Sequence, residues 1–178
     1  MTGSVISRGE ASRRWLGFPN PVNEKAARTV AAGVLLLAGL TLAMSLTASP
    51  RWLWISAVLA AGFIARVLAG PRLSPLGRLA TQMIAPRLGE PKLVAGPPKR
   101  FAQAIGAVVT GAATVSTAVG AVGLAQSLLG LIIIAAGLES VFAVCIGCIV
   151  FAVLMRAGVV PEETCEACAN VQTVLDRS

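Results

Sequence analysis

FAQAIGAVVTGAATVSTAVGAVGLAQSLLGLIIIAAGL, residues 101–138, contains no charged side chain. A run of that length is foreign to a soluble core. A helix that crosses the hydrocarbon of a bilayer needs about 20 predominantly apolar residues. The run divides at 120–126, where a tight outer turn is expected, into a third span over about 101–119 and a fourth over about 127–155. The same signature occurs upstream. A first span over about 29–47 is closed by Pro50, and a second over about 52–68 is stopped by Gly70-Pro71. Trp52 and Trp54 mark the aqueous boundary between them, where indole rings prefer to lie.

Composition agrees. Hydrophobic residues make up 56% of the 178, charged residues only 13%, and His and Tyr are absent. A net charge of +7 would suggest nucleic acid in a soluble protein. Here it reports basic loops, and the basic–aromatic interleaving that stacks bases is missing, so nucleic acid is not an expected partner. Residues 1–28 form a polar, basic tail with no small-residue cleavage site after a short apolar core, so the first helix is expected to stay as a span. Asn23 is positioned to cap that helix, with Glu24 in its first turn.

Residues 71–100 form a basic linker. Ser74-Pro75 reads as an N-cap followed by a proline at the first helical position. Leu76, Leu79, Ala80, Met83 and Ile84 recur at helical spacing up to Pro86, which predicts a short amphipathic helix lying on the membrane. In the third span Ala112, Ser116 and Gly120 form a small-residue stripe for close helix packing. Arg66 lies within a turn of the end of the second span and reads as snorkelling toward headgroups, in preference to being a buried partner for Glu139. The N-tail carries five Lys and Arg, the linker six, and the tail over 156–178 two, against Arg51 alone on the other side. This positive-inside bias is expected to put both termini on the cytoplasmic side of the membrane. The expected fold is all-α and polytopic, with four transmembrane helices and an interfacial helix between spans 2 and 3.

Candidate chemistry concentrates in two C-x2-C pairs, Cys145 with Cys148 inside the fourth span and Cys165 with Cys168 in the tail, and in Glu139. In a reducing compartment permanent disulfides are not expected. One reading is a thiol–disulfide or sulfur relay, since this spacing lets one thiol attack and its neighbour resolve the mixed disulfide. An internal helix position is a poor place for that bond, because disulfide geometry needs closer Cβ atoms. Another reading is a four-cysteine zinc site, whose count and interval fit tetrahedral coordination. A third is that the cysteines are simply small buried hydrophobes. Glu139, about 9 Å of helix rise from Cys145, is not that thiol's direct base. A proton-handling role or a hydrogen bond to another span suits it, the plain alternative being a protonated carboxyl bonded to Ser or Thr.

Ala69-Gly-Pro-Arg-Leu-Ser-Pro-Leu76, Gly89-Glu-Pro-Lys92, Gly96-Pro-Pro-Lys-Arg-Phe-Ala-Gln103, Leu138-Glu139 and Cys145-Ile-Gly-Cys148 together resemble the bacterial, especially actinobacterial, membrane family known as domain of unknown function 4395. The resemblance covers about 21–153 and implies a polytopic membrane protein. Many such members carry a C-terminal pair similar to Cys165-Glu-Ala-Cys168. Members of this kind are often associated with thioredoxin-like proteins and thiosulfate sulfurtransferases. The expectation is therefore a membrane thiol module that works with such a soluble partner and has no bound cofactor. The alternatives are a small sulfur-oxyanion transporter, or a membrane adaptor with zinc on Cys145, Cys148, Cys165 and Cys168.

Overall fold

Entry into the first helix is set by Asn23. Its side-chain oxygen accepts from the backbone N–H of Lys25 at 3.0 Å, leaving Glu24 in the first turn, where the helix dipole favours a carboxylate. The computed structural model, which describes residues 21–159, carries this helix, α1, over Glu24–Thr47. Residues 1–20, and the tail pair Cys165 and Cys168, lie outside the described residues. Ser49 caps the next turn and Pro50 occupies its first position, so the 3-10 turn Pro50–Trp54 feeds directly into α2, Ile55–Ala69. Gly70, at φ 63°, ends it in a conformation that suits glycine.

The expected interfacial helix is present. Ser74 accepts from the Gly77 N–H at 3.4 Å, Pro75 opens α3 at Pro75–Leu79, and the helical path continues through a wide turn, Ala80–Ile84, and a tight one, Ala85–Leu88. Ala80 and Ala85 face the bundle while Leu79, Met83 and Leu88 face outward. Leu76 rests on α1, where a Cβ at Gly33 would lie 2.6 Å from its Cδ2 atom. The linker then returns to the start of α1. A two-residue strand β2, Leu93–Val94, pairs antiparallel with β1, Val22–Asn23. The Glu24 N–H also donates to the Lys92 carbonyl at 2.8 Å.

The second half departs from the sequence reading in three places. Helix α4, Gly96–Ala118, starts with Pro97 and Pro98 in its first turn, so residues 96–100 are helix where linker was expected. The outer turn is shorter than 120–126, because Gly120 at φ 77° reverses the chain and the Ala121 N–H caps the Ser116 carbonyl at 2.8 Å. Helix α5, Val122–Phe142, therefore begins five residues before Ser127. A single helix over 127–155 is not formed: α5 stops at Phe142, and a separate α6 covers Ile146–Arg156. Its 11 residues rise only about 16 Å, short of a crossing.

Among the described residues, four helices are long and apolar enough to cross a membrane: Glu24–Thr47, Pro50–Ala69, Gly96–Ala118 and Val122–Phe142. The protein is an all-α polytopic membrane protein. Helix α2 packs along α4, α1 along α5, α4 joins the two pairs, and α6 lies on α4. Val34, Ala38, Leu53, Leu59, Ala125 and Leu129 form the centre of the core. Large apolar side chains such as Leu36, 74% exposed, and Val108, 71% exposed, point outward, as expected where lipid is the solvent. Buried hydroxyls are satisfied internally: Thr41 donates to the Leu37 carbonyl at 2.7 Å, Thr110 to Gly106 at 2.6 Å, and Ser56 bonds Thr114 at 3.0 Å.

Of the expected small-residue stripe of α4, Ser116 is buried while Ala112 and Gly120 are exposed; the packed seam runs instead through Gly106, Thr110, Ala113 and Ser116. Gly106 lies against the Phe63 ring, and a Cβ there would meet the ring carbons, whereas a Cβ at Gly111 meets nothing within 4 Å. Gly106→Ala is expected to destabilise the bundle by about 1–3 kcal/mol through overpacking, while Gly111→Ala, which only improves helix propensity, is neutral or mildly stabilising. Thermal unfolding of both variants in detergent checks this contrast.

Candidate functional site

The break between α5 and α6 builds the site. Ala143 adopts the left-handed conformation at φ 57°, the one non-glycine residue with positive φ among the described residues. The Val144 N–H reaches back to the Leu138 carbonyl at 3.1 Å to close the helix end. Arg28, from the first turns of α1, crosses to the same end and donates to the Ser140 carbonyl at 3.0 and 3.2 Å and to the Val141 carbonyl at 3.1 Å. The carbonyls that a helix end leaves open are thus met by a cation, which also suits the negative end of the dipole. A left-handed alanine persists only where its surroundings hold it, and such conformations concentrate at functional sites.

Cys145 is therefore not inside a helix. It has extended backbone angles and stands at the N-cap of α6, with Sγ accepting from the Cys148 N–H at 3.3 Å. Cys145 and Cys148 are joined as a disulfide with their Cα atoms 5.2 Å apart. The difficulty that an uninterrupted helix poses for this bond disappears once one cysteine sits in the cap. Gly147, between them, lets the first turn of α6 press onto α4, where a Cβ would lie 2.6 Å from the Ala102 Cα. Phe151 stacks on Phe101 with ring centroids 5.5 Å apart and holds the rest of α6 in place. Cys145 is buried and Cys148 half-buried.

A cavity of about 200 Å³ opens beside this turn, lined by Cys145, Gly147, Glu139, Gln103, Phe63 and Ala136 among others. Glu139 lies one turn from the end of α5, not at mid-span, and is ion-paired with Lys99 of α4, Nζ to Oε1 2.6 Å. Both side chains are largely buried. Of the readings for Glu139, a bond to another span describes this contact, and Lys99 rather than a hydroxyl is its partner. Arg66 does not snorkel. It is 4% exposed, with Nε donating to Gln103 Oε1 at 2.7 Å, Nη1 donating to Ser74 Oγ at 3.1 Å, and the guanidinium 4.5 Å from the Phe63 ring centroid. Ser74 is the reason: as the cap of α3 it folds back over the end of α2 and covers the arginine.

Cys145, Cys148 and Glu139 are thus brought to one end of the bundle. Cys165 and Cys168 lie outside the described residues, and no group of three His, Cys, Asp or Glu suited to a metal occurs among those described. Lys99 was missed as a site residue because its position in a Gly-Pro-Pro-Lys-Arg segment reads as linker charge. The signal was there in the prolines, which are permitted in a helix's first turn. An antiparallel neighbour then sets the first turn of α4 level with the last turn of α5, where Glu139 lies.

The family model described as Domain of unknown function (DUF4395) matches residues 22–156, from β1 through the end of α6. No curated protein and no solved structure matches the chain.

Removing one partner of a buried ion pair strands the other charge. Lys99→Met and Glu139→Leu are each expected to lower stability by about 3–5 kcal/mol. The double variant should lose less than the sum, with a coupling of about 1–3 kcal/mol between the two positions. A double-mutant cycle read by thermal unfolding checks this, and strict additivity would refute the pair.

Proposed function

We propose that this chain, which belongs to the DUF4395 family, is a membrane-embedded thiol–disulfide module exchanging electrons or sulfane sulfur with a soluble thioredoxin-like or sulfurtransferase-like partner. The observation that supports this reading is the bonded Cys145–Cys148 pair at the start of α6, beside a cavity that it shares with Glu139. The positive-inside bias of Lys and Arg puts this end of the bundle, with both termini, on the cytoplasmic side of a bacterial plasma membrane. Soluble partners are found there.

The chemistry follows from exposure. Cys148 is the more accessible sulfur, so an incoming partner thiolate attacks its Sγ, forming a mixed disulfide and breaking the Cys145–Cys148 bond. Cys145 leaves as a thiolate with the bonding electron pair. It leaves into the N-cap of α6, where the Cys148 N–H already points at its sulfur and the helix dipole stabilises negative charge. A second partner thiol then attacks the partner's own sulfur and Cys148 is released. The partner becomes a disulfide, this pair becomes a dithiol, and two electrons have moved. In the sulfur version, the reduced Cys148 thiolate attacks the outer sulfur of a partner persulfide. The partner leaves as a thiolate and Cys148 holds the transferred sulfur. Glu139, ion-paired with Lys99 and lining the same cavity as Cys145, serves proton handling at the site without being that thiol's direct base. Cys165 and Cys168 are the outer pair that meets the soluble partner, and toward Cys148 they act as the attacking dithiol in these same steps.

The test is the redox state of the four cysteines in native membranes, read as mass added by alkylation before and after mild reductant. A Cys145–Cys148 pair that gains two alkyl groups only after reduction is the expected result. Given an oxidised partner, the lone Cys148 thiolate of Cys145→Ser attacks the partner disulfide and, with the resolving thiol gone, should accumulate as a mixed disulfide, while Cys148→Ser should not, with membrane insertion unchanged in both. Four thiols that alkylate freely without reductant, or only after chelation, would overturn the relay, the second outcome in favour of a four-cysteine metal site.

A further inference from the structure

A second cavity lies at the same end of the bundle, between the start of α1, the end of α2, α3 and the start of α4. It has a volume of about 370 Å³. Its charged lining is Arg66, Arg78 and Lys99, and no Asp or Glu is among the described residues that line it. Asn23, Thr81, Gln82 and Gln103 add neutral hydrogen-bonding groups. The thiol cavity on the other side of Gln103 has Glu139 as its one charged residue.

The charges around Arg66 do not balance. Among the described residues its guanidinium is bonded to neutral acceptors alone, Gln103 Oε1 and Ser74 Oγ, and it faces the ring of Phe63. Its Nη2 atom is buried with no hydrogen-bond partner among the described residues. Glu139 acts on Arg66 electrostatically, but its Oε1 is engaged by Lys99 at 2.6 Å. Two buried cations therefore share one carboxylate. A buried charge without a counter-ion is expensive, and an intramembrane ionisable group of this kind marks a ligand path more often than a structural need. Arginine in particular offers a planar fork of donors that matches the oxygens of a phosphate-like group.

We propose that this cavity is a binding site for a compact oxyanion with several equivalent oxygens, of the phosphate or sulfate type. Arg66 and Lys99 are its buried cationic donors, Gln103 a neutral donor, and the exposed Arg78 guards the entrance from α3. The ligand satisfies the open position on Arg66 and closes the charge imbalance left among the described residues. The cavity opens at the end of the bundle that carries the basic linker, so the oxyanion arrives either as a free anion or as the phosphate of a lipid headgroup. The site stands independently of the thiol reading, because none of its residues is a cysteine.

The experiment uses the full chain, delipidated in an uncharged detergent, with inorganic phosphate and sulfate titrated against chloride at matched ionic strength and binding read by calorimetry and thermal shift. In parallel, the protein is placed in nanodiscs of phosphatidylcholine with or without phosphatidylglycerol, and retained lipid is identified by native mass spectrometry. Saturable stabilisation by phosphate or sulfate over chloride identifies a free anion. Selective retention of phosphatidylglycerol without it identifies a headgroup. Arg66→Gln should weaken either by about tenfold or more, as the loss of a charge-assisted hydrogen bond implies. Arg78→Gln, at an exposed position that folding does not depend on, should weaken it severalfold and keeps the test valid if Arg66→Gln fails to fold. Lys25→Gln, at a half-buried cation outside this cavity, should leave binding unchanged. Binding of neither kind, or equal losses in Arg78→Gln and Lys25→Gln, would overturn the site.

Discussion

Lys99 and Glu139 meet at 2.6 Å between α4 and α5, and much of this end of the molecule is arranged around that contact. Neither charge is tolerable alone in an apolar bundle, and together they set the first turn of one helix against the last turn of its antiparallel neighbour. The pair requires residues 96–100 to be helical, which the two prolines at the start of α4 permit. It also places the Glu139 carboxylate within the electrostatic reach of Arg66. The charged contacts of the bundle are thus gathered at one end, while the buried polar groups elsewhere are neutral hydroxyls such as Thr41, Ser56 and Thr110.

That polar end solves a backbone problem. A helix that stops within an apolar environment leaves carbonyls with no water to accept from, and each must find a donor inside the protein. Arg28 serves α5, Arg100 donates to the Val67 carbonyl at 3.0 Å and serves α2, and Lys25 donates to the Leu88 carbonyl at 2.7 Å and serves the helical path after α3. Cations that count toward topology are also helix caps. Because Arg28 holds the end of α5, the chain can break at Ala143 and restart at Ile146. The break is what moves Cys145 from a helix interior to a cap and allows it to bond Cys148.

The two cavities are neighbours that share Gln103, Ala27 and Val30 but differ in charge. One presents a disulfide and a paired acid. The other presents cations without a carboxylate. The linker between α2 and α4 walls the second, because Ser74 covers Arg66 and the β1–β2 pairing returns the chain to α1. Away from this end the core is closed by Leu53, Ala125 and Leu129, all fully buried.

The sequence by itself determined that four helices cross a membrane, because length and apolarity are properties of a segment and lipid rewards them wherever the segment packs. It likewise determined the caps at Asn23 and Ser74, which depend only on neighbours two or three residues away, and it singled out Glu139, Cys145 and Cys148 as residues too polar or too ordered for an inert span. The tertiary structure decided everything that depends on which segment faces which. It gave Glu139 its partner in Lys99, 40 positions away. It buried Arg66 under Ser74 where local reasoning had it reach for headgroups, and it moved the packing face of α4 from Ala112 to Gly106, because Phe63 of α2 sits there. It also broke the fourth hydrophobic run at Ala143. No proline in the run announces that break; the donors that make it tolerable come from Arg28, more than a hundred residues earlier in the chain.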